Sequence, residues 1–348
     1  MKKITILGLV GMISVFASAP MAGTPLGGLA VALSPDEDTL VTAGDNRTLY
    51  VLNAADMEIV NRVWLGTCIV KLDFDKDGKV LLAEASDGNL LSIDTTSWQV
   101  AGNRPKSEKM SVARAVNRVA VLNPDHNGHS ISFLDISDLS EQGRVTLPKG
   151  QKVAALGLDA AGERLGILTE SVNDESEPKE PKPADLRGLE GDEFRLKHDG
   201  KTTQFLVFKV PSGEPLWEQK TYYSPSMTGM KVLFDGEAGV AVNYSDLNAK
   251  ITPEGEVSLF KLDNGFNYGT GFSHDQSILL TGGLAKGTYT KVGAVSMMTF
   301  SPDRLQGWPE YFKDFAISED GTAYGATSGY RIVTVKPGGM FAKSTPIF

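Results

Sequence analysis

The sequence predicts an all-β protein, a seven-bladed β-propeller of four-stranded antiparallel blades. Three observations predict it. A unit of short apolar runs recurs about every 40 residues, the period of a four-stranded blade. The runs are parted by turns rich in Asp, Asn and Gly, residues that bond their own backbone or adopt positive φ. The first two runs of most units are apolar without strict alternation, as inner strands packed on both faces must be.

The clearest unit spans Leu29–Gly66. Leu29–Leu33 is an apolar strand, followed by a turn at Ser34-Pro35-Asp36 and a strand ending at Ala43. Gly44-Asp45-Asn46 turns into the strand Thr48–Asn53, and Glu58–Leu65 is the outermost strand. The second unit begins at Ile69 and repeats this turn for turn, with Asp75–Lys79 and Ser86–Asn89 as its turns. The third starts near Ser111, with strands Arg118–Asn123 and Ser130–Ile136. The fourth starts at Val153, turns at Asp159–Glu163 and resumes at Thr203 after a long insertion. The fifth starts near Met230, with Val257–Asp263 as its third strand, the sixth near Tyr268 and the seventh near Phe315. The seventh is one strand short before Phe348, so residues 23–29 are expected to supply its outer strand. The alternative is closure within Met340–Phe348.

Three stretches depart from the pattern. Residues 172–202 form a charged, Pro-rich insertion that cannot bury apolar surface. Within it, Ala184–Leu189 is expected to make a short helical turn and Glu193–Lys201 a hairpin. The segment reads as a tolerated surface insertion, or as a flap that touches a partner. Asn243–Glu256 and Leu284–Lys291 read as smaller insertions.

The N-terminus reads as a targeting segment: basic Lys2 and Lys3, an apolar run from Ile4 to Ala19, then small residues. Residues 1–22 are therefore expected to be a signal peptide, and 23–348 a single propeller domain that is periplasmic or secreted, with no membrane span after cleavage. The formal net charge of -9 argues against a nucleic-acid partner, because phosphate binding needs a basic face. Cys68 is the one cysteine, which excludes an internal disulfide and reads as a small buried hydrophobe.

No constellation names a reaction. Of the four histidines only His126 and His129 are close, and two ligands on one turn make a weak metal site. There is no Gly-x-Ser-x-Gly elbow and no phosphate-cradling Gly-Lys-Ser/Thr loop. No cofactor or catalytic residue is assigned. Trp64, Trp98 and Trp217 fall on expected fourth strands and read as core. The better leads for binding are aromatics between blades and in the long insertion. Tyr222, Tyr223, Trp308, Tyr311, Phe312 and Phe194 are the candidate partner-binding residues.

Ser34-Pro35-Asp36 through Leu49-Tyr50-Val51-Leu52-Asn53 resembles the YVTN-type and WD40-like propeller repeat, echoed at Ser301-Pro302-Asp303 and Ser318-Glu319-Asp320-Gly321. The first repeat departs from the usual pattern, with Glu37-Asp38 where Gly-Lys is common. The resemblance covers nearly all of the chain after residue 22 and is specific for fold. It implies kinship with quinoprotein amine dehydrogenase β-chain-like propellers, a group that also includes lactonases and binding scaffolds. The expectation is a non-catalytic propeller of the cell envelope that binds a protein or small ligand at one face. The alternative is an enzyme, a lactonase-like hydrolase or a quinoprotein-type dehydrogenase subunit. An enzyme should gather charged side chains with shifted pKa values at the central channel; a scaffold should expose an apolar or aromatic patch.

Overall fold

The computed structural model describes residues 30–124, 129–170, 172–173, 183–198, 201–221, 230–244, 247–260, 269–282, 287–291, 294–300, 312–336 and 341–347. These residues build seven antiparallel sheets, each of four consecutive strands apart from one added short strand in the fourth. The inner strands are Ala30–Leu33, Ile69–Phe74, Glu108–Ala113, Val153–Leu158, Lys231–Asp235, Gly269–Phe272 and Phe312–Ile317, one for each of blades 1 to 7. The inner strand of blade 7 packs against that of blade 1, closing a ring.

Side-chain alternation explains why the ring holds. Successive strand residues point to opposite sheet faces, and each face meets a different neighbouring blade. In the third strand of blade 1, Thr48–Asn53, Leu49 and Val51 join a cluster with Leu72, Phe74 and Leu81 of blade 2. Tyr50 and Leu52, one residue out of phase, join a cluster with Ala326 and Ile332 of blade 7. The apolar core is thus divided into separate clusters, one at each blade-to-blade interface. Two inner-strand glycines let backbones meet: a Cβ on Gly157 would lie 1.9 Å from the Val232 carbonyl oxygen, and one on Gly271 would lie 2.6 Å from that of Phe315.

Several expectations are corrected. The last blade closes within itself: Phe341–Pro346 pairs with Arg331–Val335 as its outer strand. The segment 23–29 lies outside the described residues. Asn243–Glu256 and Leu284–Lys291 are not insertions. They contain the third strands of blades 5 and 6, Leu247–Ile251 and Gly287–Lys291, and Val257–Phe260 is the fourth strand of blade 5. Residues 193–197, expected in a hairpin, belong to the helix Gly188–Lys197. Glu-Phe-Arg-Leu-Lys alternates like a strand, but ion pairs one turn apart, Asp192–Arg195 and Glu193–Lys197, favour the helix. Leu196 is buried in the cluster between blades 4 and 5. At the base of the insertion, Val172–Asn173 pairs with Lys201–Thr202 and extends the blade 4 sheet.

The tryptophans also divide. Trp64 is 70% exposed at the end of Ile59–Trp64, beside Val60 at 65%, so it is not core. Trp98 sits in the turn before the outer strand of blade 2, with φ 55°, and packs partly against the blade 1–2 cluster. Trp217 is on a fourth strand as expected and stacks on Phe205, ring centroids 5.5 Å apart. Cys68 is half-buried rather than enclosed, and burial pushes its thiol pKa up.

Candidate functional site

The inner strands enclose a channel into which charged side chains from four blades and a histidine from a fifth converge. Lys71 and Asp73 come from blade 2, Arg114 from the turn after the inner strand of blade 3, Lys231 from blade 5, His274 from the turn of blade 6 and Asp314 from blade 7. With Ser111 and several backbone groups they line a narrow cavity of about 60 Å³.

Most of these groups fasten one blade to another. Arg114 pairs with Asp73 at 3.1 Å and donates to the carbonyls of Leu33 at 3.0 Å and Phe74 at 3.3 Å, so blade 3 grips blades 1 and 2. Lys231 pairs with Asp314 at 3.2 Å and donates to the Thr270 carbonyl, linking blade 5 to blades 7 and 6. The other oxygen of Asp314 accepts the backbone N–H of Val31 at 3.1 Å, across the closing seam. Ser111 accepts from the Leu158 N–H at 2.9 Å. Gln276 accepts from the Phe234 N–H at 2.9 Å and donates to the Leu158 carbonyl at 2.7 Å, spanning blades 4 to 6. Lys71 donates to the Met110 carbonyl at 2.7 Å. Burial pulls the Lys71 ammonium below its ordinary pKa, and the charge of Lys231 adds to that.

The channel opens on the face formed by the turns between first and second strands. A vestibule of about 410 Å³ lies there over blades 6, 7 and 1, with Arg114 and His274 shared with the neck. Its rim repeats one device three times. Ser34, Ser273 and Ser318 each donate to the aspartate two residues on, Asp36, Asp275 and Asp320, at 2.5, 2.5 and 2.6 Å. Those aspartates in turn accept backbone N–H groups that close the turn. The serine hydroxyls hold Asp36 and Asp320 below the usual carboxylate range. At Asp275 burial acts the other way and is outweighed by Ser273 and Ser277. His274 faces the vestibule, yet the atoms crowding it lower its imidazole pKa.

The long insertion lies on the other face, because it joins the second and third strands of blade 4. A separate recess of about 470 Å³ sits at its base, lined by Gln151, Lys152, Thr169, Glu170, Gln204 and Lys220 among others.

Of the candidate aromatics, two lie among the described residues, Phe312 between blades 6 and 7 and Phe194 on the insertion helix. Tyr222, Tyr223, Trp308 and Tyr311 lie outside the described residues. Phe312 is fully buried, stacked on Phe315 in the blade 6–7 interface, and presents no surface to a partner. Phe194 is half-buried on the insertion helix, its ring 4.3 Å from that of His198. Among the described residues there is no cluster of three or more His, Cys, Asp or Glu side chains able to hold a metal. His126 also lies outside them. The channel set escaped sequence reasoning because each member looks like one polar residue in an ordinary strand or turn. The available signal was charge inside inner strands that are otherwise apolar, as in Ile69-Val70-Lys71-Leu72-Asp73-Phe74.

No family model and no curated protein matches the sequence. Among solved structures, the chain is similar to hydrazine synthase of Kuenenia stuttgartiensis. The TM-score is 0.64 at 11% identity, over 93% of this chain and 99% of that one. This likeness shows the fold alone: the chain is a seven-bladed β-propeller. No helix among the described residues is long and apolar enough to cross a membrane.

Proposed function

We propose that this protein is an exported, non-catalytic β-propeller that binds a partner protein or small ligand in the cell envelope. One observation supports binding over catalysis. The channel, where an enzyme would place free acid, base or nucleophile groups, spends its arginine, its aspartates and Lys231 on contacts between blades. Export rests on Lys2, Lys3 and the apolar run to Ala19, with residues 1–22 as the signal peptide and 23–348 as the mature propeller. Membership of the YVTN/WD40-like repeat group is part of the same reading, supported by the Ser-x-Asp turns of blades 1, 6 and 7. Candidate partner contacts are Phe194, Tyr222, Tyr223, Trp308 and Tyr311.

The test is a pull-down from envelope extract with residues 23–348 as bait, beside the same protein with residues 174–200 replaced by a short Gly-Ser bridge. Assays with lactones and with dye-linked amine oxidation run in parallel. A partner retained by the intact bait, with no turnover in either assay, supports the reading. Turnover of a lactone or amine overturns it in favour of the enzymatic alternative, a lactonase-like hydrolase or quinoprotein-type dehydrogenase subunit.

A further inference from the structure

One cation of the channel has no carboxylate in direct contact, although the charge of Glu84 acts on it from nearby. Three cationic side chains, Lys71, Arg114 and Lys231, face two carboxylates, Asp73 and Asp314, in the cavity. Each carboxylate already has its cation: Asp73 holds Arg114 and Asp314 holds Lys231. Lys71 is left with a neutral partner, the Met110 carbonyl, and no carboxylate of the described residues pairs with it. Glu84, the next acidic side chain of its blade, spends both oxygens on the N–H groups of Lys109 and Met110, at 2.8 Å each. Glu84, Asp73 and Asp314 act on the Lys71 ammonium by charge but none contacts it directly, and one bond to Met110 uses one of its three donors. The low-dielectric walls of a narrow channel strengthen its field.

The space fits an anionic tip with a larger body behind it. The neck of about 60 Å³ holds a few water-sized groups, enough for a carboxylate. The adjoining vestibule of about 410 Å³ has room for a small organic body, with His274 and Arg114 among the polar side chains that line it. We propose that the channel binds a small organic carboxylate, its carboxylate held by Lys71 and Lys231 in the neck and its body in the vestibule over blades 6, 7 and 1. This deepens the binding reading above and rests on it.

Calorimetric titration of residues 23–348 tests the proposal with benzoate as probe, and with benzamide, benzylamine and sodium chloride as neutral, cationic and inorganic controls. Benzoate is expected to bind and the three controls to bind roughly tenfold or more weakly, the worth of one charge-assisted contact. Lys71→Met is expected to lose benzoate binding by a similar factor, and Lys71→Arg to retain most of it. Both variants are checked for native circular dichroism, and Lys71→Arg keeps the test readable should Lys71→Met fail to fold. Benzamide or chloride binding as tightly as benzoate, or Lys71→Met or Lys231→Met binding like the wild type, would overturn the proposal. Mass spectrometry of the recovered probe separates the two readings. A chemically altered benzoate would defeat the non-catalytic reading, whereas unaltered probe with affinity indifferent to Lys71 defeats only the carboxylate site.

Discussion

The phenol of Tyr330 donates a hydrogen bond to Asp45 Oδ2 at 2.5 Å, joining a turn of blade 7 to a turn of blade 1. It lies on the seam that closes the ring, together with Asp314 to Val31 and the Glu319 N–H to Glu37 at 2.5 Å. Among the described residues no strand is exchanged there, and side chains tie the two blades together. Removing the phenol oxygen as Tyr330→Phe should cost about 1–2 kcal/mol in urea unfolding, the worth of a hydrogen bond to a charged group that is partly solvated.

The same pair carries a pH signature. Its hydrogen bond to the Asp45 carboxylate, with burial, pushes the Tyr330 phenol from its ordinary 10 up to about 12. The folded pKa lies above the unfolded one. The contribution is therefore complete below pH 10 and lost as pH rises from 10 to about 12. Burial also raises the Tyr324 phenol, so ultraviolet titration of the folded protein should show more than one tyrosine ionising late, with the amplitude near pH 12 reduced in Tyr330→Phe. Wild type and variant should converge in stability at the alkaline end.

Glu84 grips the start of blade 3 with both oxygens, on the N–H groups of Lys109 and Met110. Lys109 has φ 51°, a backbone conformation that the surroundings must enforce. Glu84→Ala should cost about 2–4 kcal/mol, since it orphans two backbone donors. Glu84→Gln keeps one acceptor and should lose about half as much. Equal losses for the two variants would mean that side-chain packing, not the bonds, accounts for the effect.

At Gly157 a methyl group would press into the Val232 carbonyl at 1.9 Å, and neither inner strand can retreat without opening the blade 4–5 interface. Gly157→Ala should cost about 3 kcal/mol or more by thermal or urea unfolding. Survival of near-native stability would show that these strands slide past each other more freely than their packing suggests.

Two tryptophans on outer strands should behave oppositely. Trp64 is exposed, so Trp64→Ala should shift stability by less than about 0.5 kcal/mol. Trp217 stacks on Phe205 against the blade 4–5 cluster while partly exposed, and Trp217→Ala should cost about 2–3 kcal/mol.

The sequence made the first two blades legible because their turns are explicit: Ser34-Pro35-Asp36, Gly44-Asp45-Asn46, Asp75–Gly78 and Asp87-Gly88 each force a reversal. Blades 5 and 6 were harder. Their third strands, Leu247–Ile251 and Gly287–Lys291, carry Asn, Lys, Thr and Gly, so they read as loop although pairing on both edges holds them extended. The helix Gly188–Lys197 was hidden by an alternation that suits a strand, and it is settled by ion pairs and by the burial of Leu196. The channel was illegible for a different reason. Lys71, Arg114, Lys231 and Asp314 are separated by dozens of residues and meet only because inner strands from separate blades face one axis. Ser34, Ser273 and Ser318 were individually visible as turn residues, but not as three parts of one rim.

Among the described residues each blade is drawn from one stretch of chain, and Val31 and Ile347 meet in a single interface between the last blade and the first. The order in which the blades are synthesised is therefore independent of the order in which they touch. A circular permutant with Ile347 linked to Ala30, beginning at Ile69 and ending at Trp64, would tear no strand from its sheet.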